Sequence, residues 1–461
     1  MSLPAAPLLL LALARATPDG PEPADLSALL AKVDRARLER DVRTLAGFAT
    51  RHPLSSRDDP ARGVGAARRW LLAEFTAAAD AANAAAEKGK TPASVRVQAF
   101  DQRMARNNAT VARFENFLFE FAGSDPARGL WIVGGHYDSR NKDENDGGKD
   151  APGADDDASG TAVALELARC LAGEKPAATI VLCAFDGEER GLFGSDELAG
   201  LLKREGRVVE GMVADDIVGA SRGSDRSAPP ARTIRCFSEA FAAGAEDDAF
   251  FRIVGGESDG PSRQLARYAQ LVAQRHLTGF DVEVMARSDR FGRGGDHASF
   301  TKRGYPAVRF TEKCEDYRHQ HEDVRTDGGV QYGDLPEFVD FDYLANVARL
   351  NLALVSEGAG APPPPAAVHL DGAVKPDATV DWSEVAGEGV AGYRVWRRTA
   401  AAATWHDEVF VERGAKKLDL PGVSVDDWQF AVSTVGRDGR ESPVRFPTAR
   451  PRAAAAAGGA R

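Results

Sequence analysis

Leu130 to Val133 is an unbroken apolar run that closes on Gly134-Gly135 and then on His136-Tyr137-Asp138. A strand that is apolar on both faces belongs inside a sheet whose two sides are covered by helices. Thr179 to Phe185 and Met212 to Ile217 have the same character. Between and beyond these runs, Thr161 to Leu171 and Phe193 to Arg204 carry apolar residues at helical spacing. The alternation predicts an α/β fold with a mostly parallel, mixed central sheet flanked by helices. Helices are expected over Asp25 to Phe48 and from about Gly63 to Ala86, and half-buried strands over Val95 to Phe100 and Ala109 to Phe121. A helix over Ser262 to Gln274, strands over Asp281 to Met285 and Ala307 to Phe310, and a closing helix over Tyr343 to Val355 complete the expected layer.

The texture then changes. Gly358 to Ala367 contains Pro362 to Pro365, a stiff spacer by composition. Short strands follow at Ala378 to Trp382, Gly392 to Arg397, Glu408 to Val411 and Trp428 to Val435, with a turn signal at Asp438-Gly439. They predict a small C-terminal all-β sandwich. The Asp381-Trp382, Tyr393-Arg394-Val395-Trp396 and Phe430-Ala431-Val432 segments resemble a fibronectin type III module. Such a module suggests attachment to a surface or polymer. At the other end, Leu3 to Leu13 followed by Ala14-Arg15-Ala16 reads as a signal peptide with its cleavage site. The expected organisation is a signal peptide over 1–16, a catalytic domain over 17–357, a linker over 358–367, the sandwich over 368–448 and a tail over 449–461. No stretch reaches the roughly 18–20 apolar residues of a membrane span. The expected location is therefore secreted or periplasmic.

Composition narrows the function. Lys and Arg number 58 against 69 Asp and Glu, a formal charge of −11. That balance argues against a nucleic-acid partner, which needs clustered cations. Four cysteines in 461 residues cannot form a disulfide scaffold. Cys236 and Cys314 flank motif segments and are the pair that could bridge. The sequence has no phosphate-cradling Walker loop, no Gly-x-Ser-x-Gly elbow and no His-Glu-x-x-His helix.

Five acidic or histidine-bearing segments remain: His136-Tyr137-Asp138, Asp155-Asp156-Asp157, Glu188-Glu189, Asp215-Asp216 and Tyr317-Arg318-His319-Gln320-His321-Glu322-Asp323. Several follow predicted strands, where sites of open α/β sheets assemble. Each has a plain structural reading on its own: the triple Asp as a helix N-cap, Glu188-Glu189 as a solvated helix start. Gathered in one place, the carboxylates would repel unless cations neutralised them. His with Asp and Glu is a zinc ligand set, and a shared carboxylate can bridge two ions about 3.5–4 Å apart.

In order and spacing the five segments, from about Leu38 to Val355, resemble the secreted aminopeptidases with two co-catalytic zincs, whose relatives include carboxypeptidases and glutaminyl cyclases. The resemblance implies a metallo-exopeptidase with two Zn2+ per chain and peptide substrates. It implies His136, Asp156 and Asp216 around one zinc, and Asp156, Glu189 and His319 around the other, with Asp156 bridging. Glu188 is implied as general base and Asp138 as the carboxylate that orients His136. His319 is favoured as last ligand because Asp323 lies four residues on; His321 is the alternative. The family has Tyr just before the last ligand as oxyanion donor. Arg318 stands there, and Tyr317 one residue earlier, so the donor is Tyr317 or Arg318. A carboxypeptidase, a cyclase-like transferase and a non-catalytic binding protein are the competing functions on this scaffold.

Overall fold

The computed structural model describes residues 20–90, 92–104, 110–225, 227–240 and 256–448. The predicted signal peptide and the tail over 449–461 lie outside the described residues.

The three apolar runs form strands at the centre of one eight-stranded sheet. They are β3 (Leu130–His136), β4 (Thr179–Phe185) and β5 (Val209–Asp215). Together with β8 (Ala307–Glu312) they run parallel in the order β4-β3-β5-β8. An antiparallel hairpin, β1 (Ala93–Arg103) and β2 (Val111–Phe121), extends the β4 edge. At the other edge β6 (Thr233–Ser238) pairs antiparallel with β8 and parallel with β7 (Asp281–Met285). The sheet is thus mixed with a parallel centre, as expected. Strand β6 was not anticipated; its six residues, Thr-Ile-Arg-Cys-Phe-Ser, place a charged Arg235 mid-strand.

The pleat sorts side chains to two cores. Trp131 and Val133 face helices α2 (Arg35–Gly47), α3 (Val64–Ala85), α4 (Ala158–Cys170) and the long C-terminal helix α8 (Phe341–Gly360). Leu130 and Ile132 face Leu198 and Leu202 of α5 (Phe193–Arg204) and Phe300 of α7 (His297–Thr301). Helix α6 (Pro261–His276) packs with the first core. Burying the sheet on both sides is the main stabilising term, each fully buried large apolar side chain contributing about 1.5–3 kcal/mol. Among the described residues no helix is long and apolar enough to cross a membrane. All four cysteines are free; Cys236 is buried and Cys314 exposed, so the suggested bridge between them is absent.

The all-β part consists of two antiparallel three-stranded sheets. One orders β11 (Val368–Asp371), β12 (Ala378–Trp382) and β15 (Lys417–Leu420); the other orders β14 (Asp407–Glu412), β13 (Val390–Thr399) and β16 (Trp428–Gly436). Val380, Trp382, Tyr393, Val395, Phe430 and Val432 fill the space between them. Trp396 lies outside that core; its indole N–H donates to Ser433 Oγ at 3.0 Å and Glu441 Oε1 at 2.8 Å. The predicted spacer begins late, because α8 continues through Gly358 to Gly360. Buried ion pairs then join the β module to the α/β layer. Arg398 meets Asp259 at 2.6 Å, Arg275 meets Glu441 at 2.6 Å, and Tyr268 Oη donates to the Glu441 carbonyl at 2.7 Å.

Candidate metal centre

The parallel strands β3, β4 and β5 end on one side of the sheet, and their C-terminal residues deliver the acidic groups. His136 is the last residue of β3, Glu188 and Glu189 lie in the turn after β4, and Asp216 follows β5. Asp156 comes from the loop before α4. Helix α4 must approach the strand ends closely to bring that loop in. A Cβ on Gly135 would stand 2.5 Å from Asp157 Oδ2, and one on Gly160 would stand 2.3 Å from the Asp215 carbonyl. Glycine is required at both contacts.

The three consecutive aspartates divide three tasks. Asp157 is the N-cap of α4, its Oδ1 accepting from Gly160 N at 2.8 Å while its Oδ2 accepts from His136 N at 2.9 Å. Asp155 Oδ1 accepts from Gly219 N at 2.6 Å. Asp156 alone faces the centre. Its Oδ1 is 3.2 Å from His136 Nε2, and its Oδ2 is 3.1 Å from His321 Nε2. The peptide between Asp156 and Asp157 is cis.

Two groups of metal-ligating atoms therefore meet at Asp156. His136 Nε2 has Asp216 Oδ1 at 3.8 Å and Glu188 Oε2 at 4.0 Å. His321 Nε2 has Glu189 Oε1 at 2.9 Å. The ligand atoms of His136, Glu188 and Asp216 form one set within 4.8 Å, and those of Asp156, Glu189 and His321 form another. His136 Nδ1 is 3.1 Å from the Asp138 carbonyl, which leaves Nε2 aimed at the carboxylates. Despite these short approaches, that Nε2 and Glu189 Oε1 are buried without an aligned hydrogen bond. A cation at each position would satisfy both, so the donor set fits zinc on nitrogen and carboxylate ligands.

The structure replaces His319 with His321 at this centre. His319 stacks on Phe338, ring centroids 3.7 Å apart, and its Nε2 is 3.7 Å from Asp316. His321 has a left-handed backbone, φ 57°, which turns its ring toward Asp156 and Glu189. Spacing to Asp323 does not register such a reversal. Asp138 also acts differently from the expectation. Its carboxylate stands 3.5 Å from His136 Nδ1, but it accepts backbone N–H groups from Gly187 at 2.9 Å, Glu188 at 3.1 Å and Glu189 at 3.3 Å. It holds the turn that carries the two glutamates, while its main chain holds the imidazole. Tyr317 is 68 % exposed. Arg318 Nε donates to Asp316 at 2.8 Å, so that guanidinium is already engaged.

Electrostatics follow from burial. Burial raises the Glu188 pKa well above the usual carboxylate range; His136 opposes this, and Asp216 and Glu189 add to it. For Asp216 burial also works against the charge, yet Arg309 and His136 outweigh it and hold the pKa down at about 2. Asp156 is driven well below its usual value because His136 and His321 overcome its burial. Burial raises Asp296, just before α7, to about 7.

Sequence reasoning missed the supports. Buried Arg51 donates to the carbonyls of Tyr137 at 2.5 Å, Gly153 at 2.8 Å and Leu45 at 3.1 Å, and also to that of Pro152, gripping the Asp156 loop. Asp334 accepts from Asp155 N at 3.0 Å and Asp156 N at 2.7 Å. Arg309 Nη2 lies 2.8 Å from Asp216 Oδ1. No local motif marks these residues; they are distant in sequence and meet only in the fold.

Comparison with known proteins identifies the family. Residues 116–327 match the profile of peptidase family M28. A probable zinc metalloprotease of Leptosphaeria maculans is 40 % identical over 426 residues, covering 92 % of this chain and 96 % of that protein. One from Pyricularia oryzae is 42 % identical over 435 residues, covering 92 % of this chain and 84 % of that protein. The fold is similar to that of the LapA aminopeptidase of Legionella pneumophila, with a TM-score of 0.51 and 18 % identity over 73 % of each chain. The chain thus has relatives along nearly the whole of its sequence, and it belongs to peptidase family M28.

Proposed function

We propose that the protein is a zinc-dependent exopeptidase, an aminopeptidase that releases N-terminal residues from peptides at a dinuclear centre. The observation that carries the reading is Asp156, which turns one oxygen to His136 and the other to His321. His136, Asp156 and Asp216 would hold one zinc, and Asp156, Glu189 and His321 the other. Zinc would supply Lewis acidity, acidifying a water and polarising the scissile carbonyl. Glu188, buried and with its pKa raised, takes a proton from the attacking water and returns it to the leaving amine. Asp138 fixes the turn from which Glu188 acts. Of the two candidates for the oxyanion, Arg318 is committed to Asp316, which favours Tyr317. The acidic character of the centre favours the ammonium of a free N-terminus. The apolar N-terminal run supports a secreted or periplasmic location. The sequence segments around Trp382 and Trp396 support a fibronectin type III-like reading of the C-terminal module, with surface or polymer attachment as its use.

The test is cleavage of matched peptides with free and acetylated N-termini, with and without chelator. Chelator-sensitive release of the first residue from the free peptide alone is expected. Turnover of the acetylated peptide at its C-terminus would replace the aminopeptidase reading with a carboxypeptidase. Cyclisation of an N-terminal glutamine without hydrolysis would replace it with a transferase.

A further inference from the structure

A second cluster of charged side chains lies behind the centre, and none of its members is a ligand in the proposed reading. Its hub is Glu315, whose side chain is 1 % exposed. Oε1 accepts from Arg235 Nη2 at 2.7 Å. Oε2 accepts from Arg290 Nη1 at 2.8 Å, Arg293 Nη1 at 2.9 Å and Gln320 Nε2 at 2.9 Å. The Gln320 amide is held from its other end as well, because Arg293 Nη2 donates to Gln320 Oε1 at 2.7 Å. Three guanidinium groups and an amide on one buried carboxylate are more than ordinary pairing requires.

The elements that supply these groups explain the arrangement. Arg235 is on β6 and also donates to the Glu312 carbonyl at the end of β8. Arg290 and Arg293 come from the segment between β7 and α7. Arg290 pairs with Asp289 at 3.2 Å, Asp289 with Arg309 at 3.3 Å, and Arg309 with Asp216 at 2.8 Å. The chain of ion pairs thus starts at one proposed ligand, Asp216, and ends on Gln320, the residue before another, His321. His321 needs such support. Its backbone is left-handed, a conformation that a non-glycine residue keeps only where its surroundings hold it. On its other side Glu322 is held by Lys142 at 3.0 Å.

We propose that Glu315, acting through Gln320, is a positioning residue for the second zinc: it clamps the turn that aims His321 at Asp156 and Glu189. The inference rests on the dinuclear reading above. Loosening the clamp frees the turn to relax, so the site that includes His321 weakens while the His136–Asp216 site keeps its ligands. Partners behind metal ligands commonly govern affinity by about 10–100-fold.

The experiment is zinc titration of the metal-stripped full chain against a chromophoric chelator, for wild type, Glu315→Gln, Gln320→Ala and the marker His321→Ala. Wild type is expected to take two equivalents. Glu315→Gln and Gln320→Ala are expected to bind one equivalent at wild-type affinity and the other at least about tenfold more weakly, the pattern of His321→Ala in milder form. If Glu315→Gln fails to fold with three arginines left around a neutral amide, Gln320→Ala, which keeps the carboxylate, decides alone. Two equivalents at wild-type affinity in Gln320→Ala, or a parallel loss of both, overturns the clamp. A wild type that binds fewer than two zincs overturns the dinuclear reading and the clamp with it, and that failure is seen in the wild-type curve alone.

Discussion

Replacing Asp138 with Ala separates its two tasks. The substitution keeps the main-chain carbonyl 3.1 Å from His136 Nδ1, so the imidazole stays oriented. It removes the acceptor for three backbone N–H groups, at 2.9, 3.1 and 3.3 Å, in the turn bearing Glu188 and Glu189. A buried donor left without an acceptor costs about 1–3 kcal/mol. Taking the long third bond at the low end gives about 3–7 kcal/mol. With zinc bound, the carboxylates around Asp138 would be paired to cations, so removing its charge returns little repulsion. The net loss stays at about 3–7 kcal/mol, a large part of the roughly 5–15 kcal/mol that holds a domain folded. Asp138→Asn, which keeps the volume and one oxygen able to accept from Gly187 and Glu188, isolates the loss of the charge and of the third bond. Urea unfolding at fixed zinc concentration measures the loss. The same preparations should show kcat on a free-amine peptide lowered by about 10–100-fold, because a misplacement near 1 Å of the reacting groups has that effect. Stability within about 1 kcal/mol of wild type, together with unchanged kcat, would show that the turn is held by something other than this carboxylate.

Three further outcomes are expected. Glu188→Gln should retain both zincs by metal analysis and lose most peptidase activity, by about 100-fold or more, because the amide cannot accept the proton; full activity would remove Glu188 as the base. His319→Ala should cost the ring stacking on Phe338, about 0.5–1.5 kcal/mol in thermal unfolding, together with the contact to Asp316, with zinc content unchanged; loss of a zinc equivalent would restore His319 as ligand. Glu441 gives a pH dependence at the joint between the β module and the α/β layer. Burial works against its charge, but Arg275 and Arg394 outweigh it and hold its pKa below the usual 4.5. A depressed carboxylate contributes stability that is full above its unfolded pKa and is lost as pH falls through the folded one. The stability gap between wild type and Glu441→Gln, followed by urea unfolding, should therefore be largest above about pH 5 and close in acid; a gap that widens as pH falls would contradict the sign.

The sequence conveyed the centre of the fold because buried parallel strands are written as apolar runs, and the residues of the centre end β3 or follow β4 and β5. Strand β6 was lost because Arg235 interrupts its apolar pattern, and only the structure reveals that this arginine is spent on Glu315. Asp156 was identifiable from its neighbours, although the cap reading was also true of the adjacent Asp157. The choice between His319 and His321 was not legible. Two imidazoles two residues apart differ by a backbone turn, and the left-handed φ at His321 has no glycine or asparagine to announce it. Arg51, Asp334 and Glu315 escaped for a different reason: each acts through contacts with residues far along the chain or through charge partners that no spacing rule collects. The Pro-rich segment reads as a stiff spacer, and Arg398 and Glu441 lock the module it leads to onto Asp259 and Arg275 through contacts that composition does not announce.

The most direct measurement is zinc-edge anomalous diffraction from crystals of the zinc-loaded protein. The account requires two peaks flanking the Asp156 carboxylate, one against His136 and Asp216 and one against Glu189 and His321. A single peak, or a second peak at His319, would contradict it.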